Sequence, residues 1–445
     1  MNNFSYKAIS KMSLGSLQGE TTVPGDKSIS HRAIMLSSLA EGTSLITGLL
    51  ESEDVLATIN AFRAMGVRIS KEGDGCYKVQ GVGLNGLKKP QESLDMGNAG
   101  TAMRLMAGIL SAQEFDTKLI GDDSLSKRPM GRIIEPLSKL GAKITAEAGG
   151  RPPLRIIGNP NIGGGNFRPK VASAQVKSAI LLAGLWADDP VSVYEAIPTR
   201  DYTEKMLQDL GADIEITKDS QGGKTVTLRA GNVLRAKDIN VASDISSAAF
   251  LLVAAAITPK SDLTIKNVGL HPTRDGIIRS LIKMGADITI AHHMDGQMGD
   301  IHIRYAPLTG THIPQEWAAS QIDEYPILAI AAAYATGETF MEGVGELRVK
   351  ESDRLSGTTV GLKACGVQTE EGEDWFKVVG DGQRIVGGGK IQTHLDHRMA
   401  MAFLVAGIGA KEPIEIDDIR PIETSFPHFV DIMNAIGANI IGKNN

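Results

Sequence analysis

Six short apolar segments recur along the chain, and each has the hydrophobic pattern of a buried helix. Apolar side chains occupy nearly every side of the helical turn in these segments, which is typical of helices surrounded by protein. Strand-like alternation of apolar and polar residues follows them, as in residues 261–266. The pattern predicts buried helices over residues 33–39, 102–110, 176–186, 246–257, 325–334 and 398–408.

A second pattern alternates with the first. Amphipathic helical segments, such as residues 203–210, end at a glycine, and a strand-like segment follows at once. This order predicts a helix that ends with a left-handed glycine. The glycines are 70 to 81 residues apart and are Gly66, Gly141, Gly211, Gly285, Gly366 and Gly437.

Together the two patterns predict a repeat protein of the α/β class. Each repeat supplies one buried helix, one amphipathic helix and about four short strands, which is a βαβαββ unit. Six such units form either one ring or two sets of three, and the length of 445 residues favours two domains. Residues 16–25 and 235–243 are candidate hinges.

Composition narrows the class of protein. The chain has 50 glycines and only 4% aromatic residues, so small residues must do much of the packing. A net charge of -6 argues against a nucleic-acid binder. Cys76 and Cys365 form no metal or disulfide pattern, and neither a signal peptide nor a membrane-spanning run is visible. We expect a cytoplasmic protein.

The predicted helix starts carry the candidate chemistry. Gly97, Asn98, Gly100 and Thr101 precede an apolar helix, which predicts polar caps and a seat for an anion, and Arg104 lies one turn further on. An ordinary capped helix explains any one such loop equally well. Charged or polar starts recur, however, at residues 26–32, 127–129, 173–177, 199–201, 243–244, 273–275, 323–324, 350–354 and 396–398. Helix ends combined with several Arg and Lys side chains suit a substrate with multiple negative charges.

Two carboxylates lie among these cations. Asp323 and Glu351 are candidates for proton transfer, although surface salt bridges would explain them too. Two other motifs do not indicate a site. Residues 81–86 match a dinucleotide-binding fingerprint, but Pro90 follows where a helix should begin. His394 and His397 have no further metal ligand at a diagnostic spacing. No metal is implied.

Seven motifs in order resemble those of the 5-enolpyruvylshikimate-3-phosphate synthase family, over essentially the whole chain. They are PGDKSISHR (24–32), GNAGTAMR (97–104), SKRPM (126–130), SAQVKS (173–178), DEYP (323–326), RVKESDR (348–354) and DHRMA (396–400). The resemblance implies the enolpyruvyl transferase fold, an inside-out α/β barrel of two domains, each with three βαβαββ repeats around a pseudo-threefold axis. We expect one domain to comprise residues 1–22 and 242–445, with phosphoenolpyruvate and proton-transfer residues, and the other residues 23–241, with most shikimate 3-phosphate contacts.

The resemblance also implies the reaction. The enolpyruvyl group of phosphoenolpyruvate moves to the 5-hydroxyl of shikimate 3-phosphate, phosphate is released, and the product serves aromatic amino-acid (chorismate) biosynthesis. No cofactor, nucleic acid or membrane takes part, and we expect a monomer whose open domains close on two anionic substrates.

Site residues follow from the same resemblance. Asp323 is expected to accept the hydroxyl proton, Glu351 to protonate the methylene, and Lys27 to assist catalysis. The expected shikimate 3-phosphate set is Lys27, Ser28, Arg32, Ser173, Gln175, Arg200, Asp323 and Lys350. The expected phosphoenolpyruvate set is Lys27, Asn98, Gly100, Arg128, Gln175, Arg354 and Arg398.

Three departures from the commonest family pattern indicate a less common subgroup. Ala174 replaces a second Ser, Leu105 replaces a Pro, and Thr424 replaces a Lys directed toward phosphoenolpyruvate. Some members of that subgroup resist the inhibitor glyphosate and carry Ala at the position of Gly100. Since Gly100 has no methyl group, we predict sensitivity.

Two other functions compete with this interpretation. The sister enolpyruvyl transferase acting on UDP-N-acetylglucosamine usually has a cysteine in the loop that corresponds to residues 121–131, and this loop has none. A non-catalytic repeat scaffold would bind a phosphorylated metabolite without releasing phosphate from phosphoenolpyruvate.

Overall fold

The computed structural model describes residues 6–13, 15–293 and 297–442. The predicted domain ranges also include residues 1–5, 14, 294–296 and 443–445, which lie outside the described residues. The chain divides into two compact units, Met1–Asp26 with Ala242–Asn445 and Lys27–Val241. Below, the first is called the discontinuous unit and the second the continuous unit. Each has its own apolar core.

The helices have the following bounds. They are α1 (Lys27–Leu39), α2 (Glu53–Ala64), α3 (Gly100–Ser111), α4 (Gly131–Lys139), α5 (Ala174–Ala183), α6 (Tyr202–Asp209), α7 (Ile245–Ile257), α8 (Gly276–Lys283), α9 (Ala318–Gln321), α10 (Tyr325–Ala333), α11 (Arg354–Ala364), α12 (His397–Gly409) and α13 (Phe429–Ala435). Among the described residues, no helix is both long enough and apolar enough to cross a lipid bilayer.

The strands are short. They are β1 (Ala8–Lys11), β2 (Gln18–Thr21), β3 (Glu41–Thr47), β4 (Arg68–Gly73), β5 (Cys76–Val82), β6 (Leu94–Asp95), β7 (Thr117–Ile120), β8 (Lys143–Glu147), β9 (Arg151–Ile157), β10 (Gly165–Phe167), β11 (Val191–Glu195), β12 (Ile214–Lys218), β13 (Lys224–Leu228), β14 (Ile239–Asn240), β15 (Asp262–Gly269), β16 (Asp287–His292), β17 (Met298–Arg304), β18 (His312–Ile313), β19 (Thr336–Glu342), β20 (Gln368–Glu371), β21 (Trp375–Asp381), β22 (Lys390–Ile391), β23 (Ile414–Ile416) and β24 (Asn439–Gly442).

Within the described residues these strands form six four-stranded sheets of one design. The sheet β6-β7-β9-β8 is typical: β6 and β7 are parallel and connected through α3, and the hairpin β8–β9 follows α4. The sheets β10-β11-β13-β12, β18-β19-β21-β20 and β22-β23-β1-β24 have the same order of pairing. This is the βαβαββ unit that the repeat predicts.

Three sheets take one strand from a distant part of the chain, because β1 completes the sheet β22-β23-β1-β24 and the remaining two sheets each take their first strand from far away in sequence. β14 pairs in parallel with β3, and β2 pairs in parallel with β15. The segments that follow β2 and β14 are themselves paired, because the Asp26 amide donates to the Ala242 carbonyl and the Asp244 amide donates to the Pro24 carbonyl. The chain leaves the discontinuous unit after Asp26 and returns to it at Ala242.

All six repeat glycines adopt the predicted left-handed conformation, with φ between +80° and +112°. At Gly66 the amide donates to the Arg63 carbonyl, and the next amide, of Val67, donates to the Phe62 carbonyl. The same pair of bonds closes the helix at each of the other five glycines. A side chain is disfavoured in this backbone conformation, so glycine ends the helix and lets a strand begin at once.

The six predicted apolar helices correspond to α1, α3, α5, α7, α10 and α12 and are largely buried. Every residue of α7 and of α10 is buried. Close packing depends on small residues, since a Cβ atom on Gly108 of α3 would lie 2.3 Å from the Ala179 carbonyl oxygen of α5. The first helix begins at Lys27, six residues before the predicted start, so α1 includes the polar residues of its motif.

Candidate active site

The loop before α3 is held by side chains that bond each other, not by a helix cap. The predicted polar cap is wrong: α3 is capped by Ala99, and no cap side chain bonds the helix. The Asn98 side chain instead accepts from Nη2 of Arg128 and donates to Asp122 at 2.7 Å. Arg128 also donates to the Ser124 hydroxyl at 3.3 Å. The loop therefore orients a buried guanidinium group.

Gly100 leaves room for two guanidinium groups at the start of α3. A Cβ atom there would lie 2.9 Å from Nη1 of Arg104 and 2.9 Å from Nη1 of Arg128. Arg104 donates to Oε1 of Gln175 at 2.9 Å, and the Gln175 amide donates to the Thr101 hydroxyl at 2.8 Å. Three predicted site residues, Gly100, Arg128 and Gln175, thus lie in one cluster.

Helix α1 brings Lys27, Ser28 and Arg32 together on its first turns. The Lys27 ammonium group contacts the buried carboxylate of Asp54 on α2. Arg32 donates through Nη1 to the Ser28 carbonyl at 2.8 Å, through Nε to the Thr203 hydroxyl at 2.7 Å, and through Nη2 to the Ser178 hydroxyl at 3.0 Å. Arg32 is thereby anchored to three helices, α1, α5 and α6.

His31 lies between these cations and is entirely buried. Burial, together with the charges of Lys27 and Arg32, holds the pKa of the imidazole well below its usual value. Its Nδ1 atom lies 2.8 Å from the Thr58 hydroxyl of α2. His31 is therefore a neutral packing residue that connects α1 to α2, the helix that carries Asp54.

The polar and charged residues predicted near the start of α5 have different environments in the structure. Ser173 caps the helix, because its hydroxyl accepts from the Val176 amide at 3.4 Å. Arg200 lies half-buried in the loop before α6. Lys177, one of the cations predicted at the helix starts, is directed into the core, with its ammonium group 2.8 Å from Glu195 and 2.8 Å from Glu204. A lysine that is this fully buried needs carboxylate partners, so Lys177 has a structural role in the core.

In the discontinuous unit, Arg354 is the centre of the charged cluster. The first residue of α11, it is wholly buried, and its guanidinium group contacts Asp396 at 2.8 Å, Asp323 at 3.3 Å and Glu351 at 2.5 Å. Burial by itself would lower the pKa of Arg354, but the carboxylates of Asp396, Glu351 and Asp323 outweigh it and raise the pKa. Arg354 thus brings both predicted proton-transfer residues to one place.

Lys350 and Arg398 complete this cluster. The Lys350 ammonium group lies 3.1 Å from Oδ1 of Asp323. Arg398, in the first turn of α12, donates to the Asp323 backbone carbonyl at 3.2 Å and lies 3.6 Å from the buried Glu324 carboxylate. Asp396 caps the same helix, since its Oδ1 atom accepts from the Arg398 amide at 2.9 Å. The predicted residues of this unit therefore share one network.

A further buried ion pair lies at the start of α7. Asp244 caps the helix through the Ser246 amide, and Nη2 of Arg274 lies 3.2 Å from the Asp244 carboxylate. Burial and the neighbouring charge of Asp26 raise the pKa of Asp244 to about 6, although Arg274 and Arg398 oppose the shift. Arg274, one of the cations predicted at the helix starts, is buried.

Several residues in these networks were missed by sequence reasoning. Asp54 is an unremarkable acid in the first turn of an amphipathic helix, and Thr203 and Ser178 look like ordinary core-facing hydroxyls. Their partners lie 27 to 171 residues away along the chain. No sequence signal pointed to these pairs. Among the described residues, no group of three His, Cys, Asp or Glu side chains is placed to hold a metal ion.

Comparison with known proteins fits this architecture. The family model of EPSP synthase (3-phosphoshikimate 1-carboxyvinyltransferase) matches residues 12–433. A 3-phosphoshikimate 1-carboxyvinyltransferase of Halorhodospira halophila is 50% identical over 96% of this chain and 95% of its own length. One of Parvibaculum lavamentivorans is 46% identical over 99% of each chain.

A solved structure has the same fold over nearly the whole chain. EPSP synthase from Acinetobacter baumannii has a TM-score of 0.86 and 45% sequence identity, and the match covers 98% of this chain and 99% of that one. The predicted fold class is therefore confirmed. The chain belongs to the EPSP synthase family.

Proposed function

We propose that the chain transfers the enolpyruvyl group of phosphoenolpyruvate to the 5-hydroxyl of shikimate 3-phosphate, giving 5-enolpyruvylshikimate 3-phosphate and phosphate in aromatic amino-acid biosynthesis. The observation that carries the proposal is the family match, which spans residues 12–433 and so includes all seven motifs. Relatives that share about half of their residues with this chain are named for the same carboxyvinyl transfer.

The continuous unit offers cations suited to shikimate 3-phosphate, which carries a phosphate and a carboxylate. Lys27, Ser28 and Arg32 lie at the start of α1, where the helix dipole also favours an anion. We assign these residues, together with Ser173, Gln175 and Arg200, to that substrate. Hydrogen bonds to neighbouring side chains support the assignment, since they hold the Arg32 and Gln175 side chains in place.

We assign phosphoenolpyruvate to Arg128 and the Gly100 loop of the continuous unit, with Asn98, Gln175 and Lys27, and to Arg354 and Arg398 of the discontinuous unit. Arginine suits this role because its planar donors match carboxylate and phosphate oxygens. The Asn98 amide and the Asp323 carbonyl support the assignment, because they orient Arg128 and Arg398 respectively.

Proton transfer falls to Asp323 and Glu351, with Lys27 assisting. Asp323, which we also assign with Lys350 to shikimate 3-phosphate, accepts the proton of the attacking hydroxyl, and Glu351 delivers a proton to the methylene carbon of phosphoenolpyruvate. Addition at the neighbouring carbon gives a tetrahedral ketal, which then loses phosphate together with one proton of its new methyl group, so that the carbon–carbon double bond is restored. The shared contact with Arg354 supports these roles, since it keeps the two carboxylates at fixed positions.

The test is to measure product and phosphate formed by the purified protein from the two named substrates, with UDP-N-acetylglucosamine as the rival acceptor. We expect stoichiometric phosphate and product with shikimate 3-phosphate only. Phosphate release with the rival acceptor instead would overturn the proposal. Binding of shikimate 3-phosphate without any turnover would indicate the alternative function, a non-catalytic repeat protein that binds a phosphorylated metabolite.

A second experiment tests the assignment of Arg398. We expect Arg398→Ala to raise the KM for phosphoenolpyruvate about tenfold to a hundredfold, the cost of one or two charge-assisted hydrogen bonds, with little change in the KM for shikimate 3-phosphate. Arg304→Ala, at an exposed arginine paired with Asp287, is the matched control and should change neither. Equal increases in both KM values would contradict the assignment.

A further inference from the structure

We propose that Thr203, together with Ser178, is a positioning residue that orients the Arg32 guanidinium group toward shikimate 3-phosphate. The inference rests on the proposed function, in which Arg32 contacts that substrate. Thr203 lies on α6, Ser178 on α5 and Arg32 on α1, so the contact joins three helices of the continuous unit. All three side chains are buried.

The contact of Ser178 with a carbonyl oxygen sets the direction of the hydrogen bonds in this cluster. The Ser178 hydroxyl donates its one hydrogen to the Ala174 carbonyl at 2.6 Å. The 2.6 Å contact between Ser178 and Thr203 must then use the hydrogen of Thr203. Thr203 accepts from Nε of Arg32, and Ser178 accepts from Nη2. Each hydroxyl thus donates once and accepts from Arg32.

This geometry fixes the plane of the guanidinium group. Bonds at Nε and Nη2 fall on two different atoms of the same planar group, and the Ser28 carbonyl takes a third bond at Nη1. Arginine otherwise loses considerable rotamer entropy when it binds a ligand. These three oxygen acceptors pre-orient the group before an anionic substrate binds, which lowers the entropic cost of binding.

Residues next to Ser178 and Thr203 hold the two hydroxyl groups at a fixed distance from each other. Lys177 and Glu204 are the chain neighbours of Ser178 and Thr203, and their buried side chains form an ion pair at 2.8 Å. Glu204 also lies 3.1 Å from the Lys224 ammonium group, and Lys177 lies 2.8 Å from Glu195. A buried ion pair with several partners tolerates little displacement, so it sets the spacing of α5 and α6.

The experiment compares Thr203→Val, Thr203→Ser and Ser178→Ala in the full-length protein. Valine keeps the shape of threonine but removes the acceptor for Nε, whereas serine retains it. The matched control is Thr117→Val, because Thr117 is a buried threonine of the same unit whose hydroxyl has no hydrogen-bond partner among the described residues. Measurements are the Kd of shikimate 3-phosphate by calorimetry, both KM values, kcat, and thermal unfolding.

We expect Thr203→Val to weaken shikimate 3-phosphate binding about tenfold, with Ser178→Ala similar, and to leave the KM for phosphoenolpyruvate unchanged. Thr203→Ser should restore most of the affinity, and Thr117→Val should match the wild type. The inference is overturned if Thr203→Val binds normally, if serine fails to rescue, or if both KM values rise together with a fall in stability.

The proposed function can fail separately. If the wild type binds shikimate 3-phosphate but releases no phosphate from phosphoenolpyruvate, the proposed function is wrong, and the Kd series still decides the role of Thr203. If the wild type binds no shikimate 3-phosphate, this inference is overturned as well.

Discussion

The two units hold their buried arginines in different ways. In the continuous unit, hydroxyl, carbonyl and amide oxygens orient Arg32 and Arg128. In the discontinuous unit, three carboxylates surround Arg354. A neutral acceptor directs a guanidinium group and leaves its charge available, whereas a carboxylate directs it and neutralises it.

This difference suggests a division of labour. Guanidinium groups held by neutral oxygens suit the binding of anions. Arg354, besides its assigned contact with phosphoenolpyruvate, holds Asp323 and Glu351 in fixed positions, which is what proton transfer needs. Removing a neutral partner should therefore affect mainly affinity, and altering the carboxylates around Arg354 should affect turnover or stability.

The largest expected effect is on turnover. We expect Glu351→Gln to lower kcat about a hundredfold to ten-thousandfold, because the amide cannot deliver the proton, while both KM values stay near those of the wild type. Steady-state kinetics provide the measurement. Glu338→Gln, at an exposed glutamate of the same unit, is the control. Full turnover by Glu351→Gln would remove Glu351 as the donor and with it the proposed division.

The next largest effect is on stability. Asp396→Asn keeps a cap for α12 but removes a carboxylate from the buried Arg354. We expect a loss of about 3 kcal/mol in the free energy of unfolding, since breaking a buried pair leaves charge uncompensated. Asp287→Asn, in an exposed pair with Arg304, should cost less than about 1 kcal/mol. Similar losses in urea unfolding for the two variants would mean that Arg354 does not depend on its carboxylates.

The sequence predicted the fold better than the charged networks, for a physical reason. The glycine that ends each amphipathic helix acts through bonds to residues three and four positions before it in the chain, so a local pattern reveals it. The contacts of Arg354 with Asp323 and Asp396 join residues 31 and 42 positions apart, and only the fold brings them together.

Lys177 shows where local reasoning fails. It stands in the first turn of α5 like the cations assigned to substrates, yet it is directed into the core toward Glu195 and Glu204. A helix that is apolar on nearly all sides gives no periodic signal of which side faces solvent. The direction of a charged side chain at such a helix start therefore depends on partners in neighbouring elements.

A pH experiment contrasts Asp244 with the well-compensated Asp396. The pKa of buried Asp244 is raised to about 6, above its usual value of 3.8, so the native state binds the proton more tightly than the unfolded state. Stability from this group is present below pH 4 and is lost as the pH rises to about 6. Asp244→Asn should remove this fall, so that its stability relative to the wild type improves by about 2 kcal/mol between pH 4 and 6. Parallel stability curves from urea unfolding would show that Asp244 does not titrate in this range.

The smallest effect is expected from a change beside Arg128, the arginine that Asn98 and Ser124 orient. In Gly100→Ala the new methyl group would meet Nη1 of Arg104 and of Arg128 at 2.9 Å, and the flexible ends of these side chains must move. We expect the KM for phosphoenolpyruvate to rise about fivefold, roughly 1 kcal/mol, with stability nearly unchanged. Gly131→Ala, where no atom lies within 4 Å of the added carbon, is the matched control in the same unit.

The same pair of proteins tests the predicted sensitivity to glyphosate. Because Gly100 leaves the space beside Arg128 open, the wild type should be inhibited at millimolar glyphosate, and Gly100→Ala should need a higher concentration. Unchanged wild-type activity in millimolar glyphosate would refute this prediction. Equal inhibition of the two proteins, with equal KM values for phosphoenolpyruvate, would show that the position of Arg128 does not limit binding. The contrast between arginines oriented by neutral oxygens and Arg354 with its three carboxylates would then depend on Arg32 and Thr203 alone.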